Sequence, residues 1–195
     1  MAAVLERDPL LGIPYPKGLI KAAFKAPIVL WRLGLGPLIG HQFMIMTTTG
    51  RVSGQPRRTA IEYHVHRGRK YALAGWGKRS QWYKNALADP RMTIQTADGT
   101  ERVRLRRVVD EADRAEAWEL IEKKPSLRAW ARVLGVDVNR ERFIADKETF
   151  FLVTFDPTDE PTPPPLEADL VWVWPAAAGL LLGALAALRL LRRPR

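Results

Sequence analysis

Apolar residues fall at two different spacings along the chain, and the switch between them marks the predicted elements. Residues 17–40, KGLIKAAFKAPIVLWRLGLGPLIG, are apolar with basic punctuation. Leu19, Ile20, Ala23 and Phe24 share one side at helical spacing and Lys17, Lys21 and Lys25 line another, which predicts an amphipathic helix that Pro27 breaks or kinks. From 41 to 109 the pattern shortens. Residues 42–48 are apolar and β-prone, and Thr59, Ile61, Tyr63 and Val65 alternate with Ala60, Glu62, His64 and His66, a period of two. The turn Arg67-Gly68-Arg69 leads to a strand over 70–74. Ser80 is placed to cap a short helix over 81–88, ended by Pro90. Strands over 92–96 and 101–109 flank Asp98-Gly99, a hairpin turn signal. Asp110 opens a helix over 111–123 that Pro125 stops; further helical stretches are expected at 126–134 and 139–146, and a last buried strand at 149–155.

About six short strands with a few helices, mostly antiparallel, predict an α+β, mostly β fold: a small barrel or closed sheet over 41–155, preceded by an amphipathic helical segment within 1–40. Residues 156–169 form a linker with five prolines, five acids and no basic residue, a composition that favours an extended, stiff chain. Residues 170–188 are 19 residues without a charge. As a helix they span roughly 28 Å, close to the ~30 Å hydrocarbon core of a bilayer. Trp172 and Trp174 sit at one end and Arg189, Arg192, Arg193 and Arg195 gather at the other, so a transmembrane helix is predicted over 170–191 with a basic tail at 192–195. Gly179 and Gly183 make a G-x-x-x-G that is too common in Leu/Ala-rich sequence to carry weight. The positive-inside rule places the terminal arginines in the cytoplasm. Against it, the body is itself basic and the opening MAAVLERDPLLGIPYPKG lacks the apolar core of an export signal. The expectation is a single-pass anchor in the cell membrane with the body in the cytoplasm.

Composition narrows the partners. There is no cysteine among 195 residues, which excludes disulfides, thiolate metal sites and a cysteine nucleophile. Lysine and arginine number 31 against 21 acids, a net charge of +10 that attracts polyanions: nucleic acid, anionic lipid or an acidic cofactor. The densest cations sit at a glycine turn and at the tail rather than over one face with exposed aromatics, so nucleic acid is not the expected partner.

Two segments carry candidate chemistry. The first, TTTGRVSGQPRR at 47–58, reads as a turn between strands whose glycines permit close backbone approach. Thr48, Thr49 and Ser53 can donate hydrogen bonds there, and Arg51, Arg57 and Arg58 can fork onto oxyanions, an arrangement suited to phosphate or carboxylate; a solvated basic hairpin is the alternative. The second, AGWGKRSQWYKN at 74–85, ends a strand in small residues and opens an aromatic-rich helix. Gly75 and Gly77 leave room for a flat ring, and helix N-terminal amides with Lys78 and Arg79 favour an anion. Core packing is the alternative for Trp82 and Tyr83, as it is for Trp118 and Trp130. His64 and His66 share a strand face, but without a third ligand no metal site is expected.

Together, LGLGPLIGHQFMIMTTTGRVSGQPRRTAIEY and ALAGWGKRSQWYKNALADPRMTIQ resemble the deazaflavin-dependent nitroreductase family, whose members include quinone reductases that use coenzyme F420. The resemblance covers about residues 29–110, carried by the paired TTGR-x-SG-x-PR and WY-x-N-x-x-A-x-P blocks. It implies a split β-barrel like that of flavin-binding pyridoxamine-phosphate oxidases, with reduced deazaflavin in a groove beside it. It implies that Arg51, Val52 and Ser53 meet the coenzyme's phosphate and acidic tail, and that Arg57, Arg58, Thr59, Ala60, Ile61 and Glu62 line the same groove. Ala74, Gly75, Trp76 and Gly77 would face the ring, and Gln81, Trp82, Tyr83, Lys84 and Asn85 would close over it. The implied reaction is hydride transfer to an electron-poor acceptor, a quinone or a nitro compound. F420 is the expected cofactor and FMN the alternative. Val52 stands where many members have lysine, and no tyrosine follows Tyr83, so no catalytic proton donor is named. A non-catalytic, membrane-anchored binder of the coenzyme or of lipid is the competing expectation.

Overall fold

Alternation along the strands decides which side chains enter the core. The computed structural model describes residues 18–123, 139–148 and 151–191. Six strands, β1 (Phe43–Thr49), β2 (Pro56–His66), β3 (Arg69–Leu73), β4 (Arg91–Thr96), β5 (Gly99–Arg107) and β6 (Leu152–Pro157), close into an antiparallel barrel in the order β1-β2-β3-β6-β5-β4. Met44, Met46, Ile61, Tyr63, Met92, Ile94, Val103 and Val153 point inward and pack together. The β2–β3 turn places Arg67 and Gly68 at positive φ (47° and 76°), the geometry of a tight hairpin.

Helices flank the barrel. At the N-terminal side lie α1 (Gly18–Ala23), α2 (Ala26–Leu30), a π-helical turn (Trp31–Leu35) and α3 (Gly36–Ile39). The break falls at Phe24-Lys25 rather than at Pro27, because Pro27 occupies the first turn of α2, where its missing N–H costs nothing. α4 (Gln81–Ala88) plugs one barrel end with Trp82, Tyr83 and Ala86. α5 (Glu111–Lys123) and α6 (Arg140–Ala145) pack together against a second cluster around Tyr71, Trp118 and Phe143. Arg114 of α5 is fully buried there and donates to the carbonyls of Val108, Phe143, Ile144 and Asp146. The helix expected over 126–134 and the start of the last strand at 149–150 lie outside the described residues.

The proline-rich segment 158–169 is not a free spacer. It lies as a strap over the outer face of β1 and β4. Thr162 and the Pro163 carbonyl meet Thr93, and Glu160 pairs with Arg104 at 2.7 Å. The buried Gln95 amide donates to the Leu166 carbonyl (3.0 Å) and accepts its N–H (2.7 Å). This second layer explains why Ile45 and Thr47, which pair with Gln95 and Thr93, are as buried as the inward Met44 and Met46. Replacing Gln95 with leucine strands two buried backbone groups, at roughly 1–3 kcal/mol each if they stay dry. The strap can instead peel locally and hydrate them, which caps the loss at about 1–2 kcal/mol. Faster amide exchange at 162–166, with barrel amides unchanged, is the expected result.

The last helix, α7 (Val173–Leu191), starts later than the 170 expected from sequence. Pro175 fits only the first turn of a helix, so residues 170–172 form the turn that leads into it. Every residue from Trp174 to Leu185 is exposed. Among the described residues no helix is long and apolar enough to cross a membrane, so the predicted span is not found there.

Candidate functional site

The glycine turn between β1 and β2 sits beside α4 at one barrel end. Gly50 N–H donates to the Gln55 carbonyl at 2.9 Å and Gly54 N–H to the Gly50 carbonyl at 2.7 Å, which closes the turn tightly. Arg51 is held by α4. Its backbone N–H (3.3 Å) and Nη1 (3.0 Å) both donate to Asn85 Oδ1, and its Nη2 donates to Gln81 Oε1 at 3.1 Å. Asn85, only 6% exposed, sends its Nδ2 to Thr48 Oγ1 at 3.2 Å. Arg57 Nη2 donates to Ser53 Oγ at 3.1 Å. Arg51, Ser53, Arg57, Gln81 and Asn85 therefore form one cationic cluster, fixed before any ligand arrives. Val52 points out at the tip, 91% exposed.

Register splits the rest of β2 between two faces. Arg57 pairs with Thr48, and Thr59 and Ile61 with the inward Met46 and Met44. Arg58, Ala60 and Glu62 pair with Thr47, Ile45 and Phe43 and so take the outer face. There Arg58 reaches the Pro165 carbonyl at 3.4 Å and, with Ile28, Arg32, Glu167 and Asp169, lines a cavity of about 490 Å³. The residues expected in a single groove thus occupy two: the barrel-end cluster, and the outer face beneath the strap and α2.

The second segment is similarly divided. Ala74, Trp82 and Tyr83 are buried, with Tyr83 edge-on to Phe151 at 5.4 Å, so these three build the wall behind the site. Gly75 is open: a Cβ there would meet nothing within 4 Å. Gly77 has φ +47° and starts the 3-10 turn Gly77–Arg79. Trp76 stands edge-on to Phe24 of the N-terminal arm, centroids 5.5 Å apart. Lys84 and Gln81 are exposed on α4. Lys78, expected to attract an anion, is bound at 2.6 Å to Glu148. Hydrogen bonds from Lys78, then from Arg107, hold the Glu148 carboxyl below the usual carboxylate range. Ser80, which precedes α4, makes no capping bond; its Oγ is buried and has no partner. His64 lies 3.9 Å from Glu62 and His66 lies 3.6 Å from Glu119.

The profile of the F420H(2)-dependent quinone reductase family matches residues 33–133, more than half of the chain. The protein belongs to the F420H(2)-dependent quinone reductase family. It is an oxidoreductase whose cofactor is coenzyme F420. Among solved structures it is similar to an F420-H2 dependent reductase (20% identity, 58% of this chain and 92% of that one, TM-score 0.43). It is also similar to an F420 reductase (17%, 60% and 87%, 0.35) and to a NimC/NimA family protein from Clostridium acetobutylicum (18%, 61% and 76%, 0.40).

The residues present suit such a coenzyme. Its anionic tail asks for fixed cations, which Arg51 and Arg57 supply, and its flat ring for an open backbone surface, which Gly75 leaves. The buried Ser80 Oγ, which has no partner, leaves a further donor at the start of α4. Sequence reading placed Ser80 as a helix cap, Phe24 on the apolar side of the N-terminal helix and Arg32 as an interfacial residue, and none of them at the site. Phe24 sits in no motif, and only the folded arm brings it against Trp76, beside Gly75.

Proposed function

We propose that this F420-dependent reductase works at a membrane, held there by α7 with its body in the cytoplasm, and reduces a quinone dissolved in the bilayer. The observation that carries the reading is α7 itself. Its Trp174–Leu185 stretch is exposed on all sides, and a helix apolar all round is otherwise found inside a protein or in lipid. Trp172 and Trp174, 62% and 52% exposed, open it as aromatic residues open helices at a lipid interface. Reduced F420, when bound, would supply the hydride that with one proton from solvent takes a quinone to the quinol, the coenzyme being left oxidised. The chain's own part is to grip the anionic tail with Arg51 and Arg57 and to lay the ring along Gly75.

The test uses the full-length protein, reduced F420 and two acceptors, menadione and a nitroaromatic. Coenzyme oxidation that depends on the protein, faster with menadione, is expected, together with flotation on vesicles that contain anionic lipid. Binding of F420 without oxidation by either acceptor would favour a non-catalytic membrane-bound carrier. The exposed Val52 and the absence of any tyrosine after Tyr83 are what make that second reading specific.

A further inference from the structure

The tail helix does not leave the body at random. It is fastened to the N-terminal arm at the place where that arm kinks. The Arg32 guanidinium forks onto Asp169, Nε to Oδ1 at 2.7 Å and Nη2 to Oδ2 at 2.8 Å, across 137 residues of sequence. Beside this pair the Leu170 N–H donates to the Arg32 carbonyl at 2.9 Å, and Trp174 Nε1 donates to the Leu33 carbonyl at 2.8 Å. Those carbonyls are free because the chain turns at Gly34, whose φ of +83° interrupts the helical ladder. Glycine suits this position, since another residue would be strained at that φ and its Cβ would lie 2.9 Å from Val171 Cγ1. The arm's other end carries Phe24 against Trp76, next to the open Gly75. The arm exposes Phe24, Val29 and Leu38 (45%, 46% and 74%), and the tail exposes its tryptophans and leucines.

We propose that the arm and α7 form one lipid-facing unit, latched by Arg32–Asp169, that orients the coenzyme site toward the bilayer so that a lipid-dissolved acceptor reaches the Gly75 surface directly. This rests on the membrane reading above and adds to it. A tether alone keeps the enzyme at the surface; the latch sets which way its site faces. An exposed ion pair stabilises a fold little, so the latch acts on orientation rather than stability. Hydrogen bonding to Arg32 keeps the Asp169 carboxyl below its ordinary range. Because that value is lowered, the pair is complete above the ordinary carboxylate range and is lost only as pH falls through the lowered value, so it is intact at neutral pH.

The experiment compares full-length parent, Arg32→Ala, Asp169→Asn and the charge swap Arg32→Asp with Asp169→Arg. Three readouts are taken: flotation on anionic vesicles, turnover of tail-less menadione without vesicles, and turnover of a long-chain quinone embedded in those vesicles. Both single variants should float and turn over menadione as the parent does, while turnover of the embedded quinone falls about tenfold, a scale in keeping with misplaced reacting groups. The swap should restore about half of the loss. Embedded-quinone turnover within twofold of the parent in both single variants overturns the proposal. So does an equal loss with menadione, which would make the pair merely structural, or a loss of flotation, which would make it part of the tether. A parent protein that neither floats nor oxidises the coenzyme would instead sink the membrane reading itself.

Discussion

Arg114→Met should cost the protein about 3 kcal/mol, seen as a lower urea midpoint with an unchanged slope. Among the described residues Arg114 is the largest fully buried side chain, and it donates to carbonyls. Nη1 holds Val108 O at 3.1 Å; Nε holds Phe143 O and Ile144 O at 3.0 and 3.1 Å; Nη2 holds Phe143 O and Asp146 O. α6 has only six residues, so most of its carbonyls have no partner within the helix, and the guanidinium gathers those nearest its C-terminal end. The ring of Phe143 lies 4.6 Å from the guanidinium carbon and adds a cation–π contact. Burial, and then the nearby Arg107, push the pKa of Arg114 down, with Asp146 opposing them. Methionine keeps the apolar stem and removes every donor, so several buried carbonyls lose their partners at once. Arg114→Lys restores the charge but not the fork and should recover less than half of the loss. A shift below about 1 kcal/mol for Arg114→Met would show that α6 and residues 143–146 find other partners, and the docking role of Arg114 would be wrong.

Much of this architecture was legible because the barrel obeys simple periods. Thr59, Ile61 and Tyr63 alternate with Ala60, Glu62 and His64, and β2 turns the first set inward and the second out. The helix at 81–88 ends where Pro90 would stop it. β1 and β4 are harder to read, since Ile45, Thr47, Thr93 and Gln95 are buried on the face that should meet water. Their cover is the strap, which has no apolar period and offers Leu166 as its one buried hydrophobic side chain. A charge signal existed: the acids of 156–169 match the arginines of β5, and Arg104–Glu160 and Arg106–Asp156 are where they meet. At the site, the turn cations and α4 could be placed from sequence. That Arg57 and Arg58 face opposite ways also follows from a period of two. The role of Asn85 does not, because whether a buried amide meets a ligand or an arginine depends on how α4 docks.

Arg51→Ala should weaken F420 binding about 10- to 100-fold, the equivalent of one or two charge-assisted hydrogen bonds. Arg51 stands out among the turn cations because it is already in position. Asn85 and Gln81 between them hold both its Nη atoms, so little side-chain freedom remains to be lost when an anion arrives. Arg57, anchored only through Ser53, should matter less when truncated, by about 3- to 10-fold. Asn85→Ala supplies the decisive comparison. If Asn85 serves mainly to hold Arg51, its removal loosens binding in the parent and does almost nothing once Arg51 is alanine, so the two losses fail to add. If Asn85 instead touches the coenzyme, the losses add. Fluorescence titration of the four proteins with F420, repeated at raised salt, separates the cases, because the loss that runs through Arg51 shrinks as salt screens the charge. Arg51→Ala and Arg57→Ala both binding within twofold of the parent would place the anionic tail elsewhere. The two-arginine cavity beneath the strap, where Arg58 and Arg32 face Glu167 and Asp169, would then be where to look.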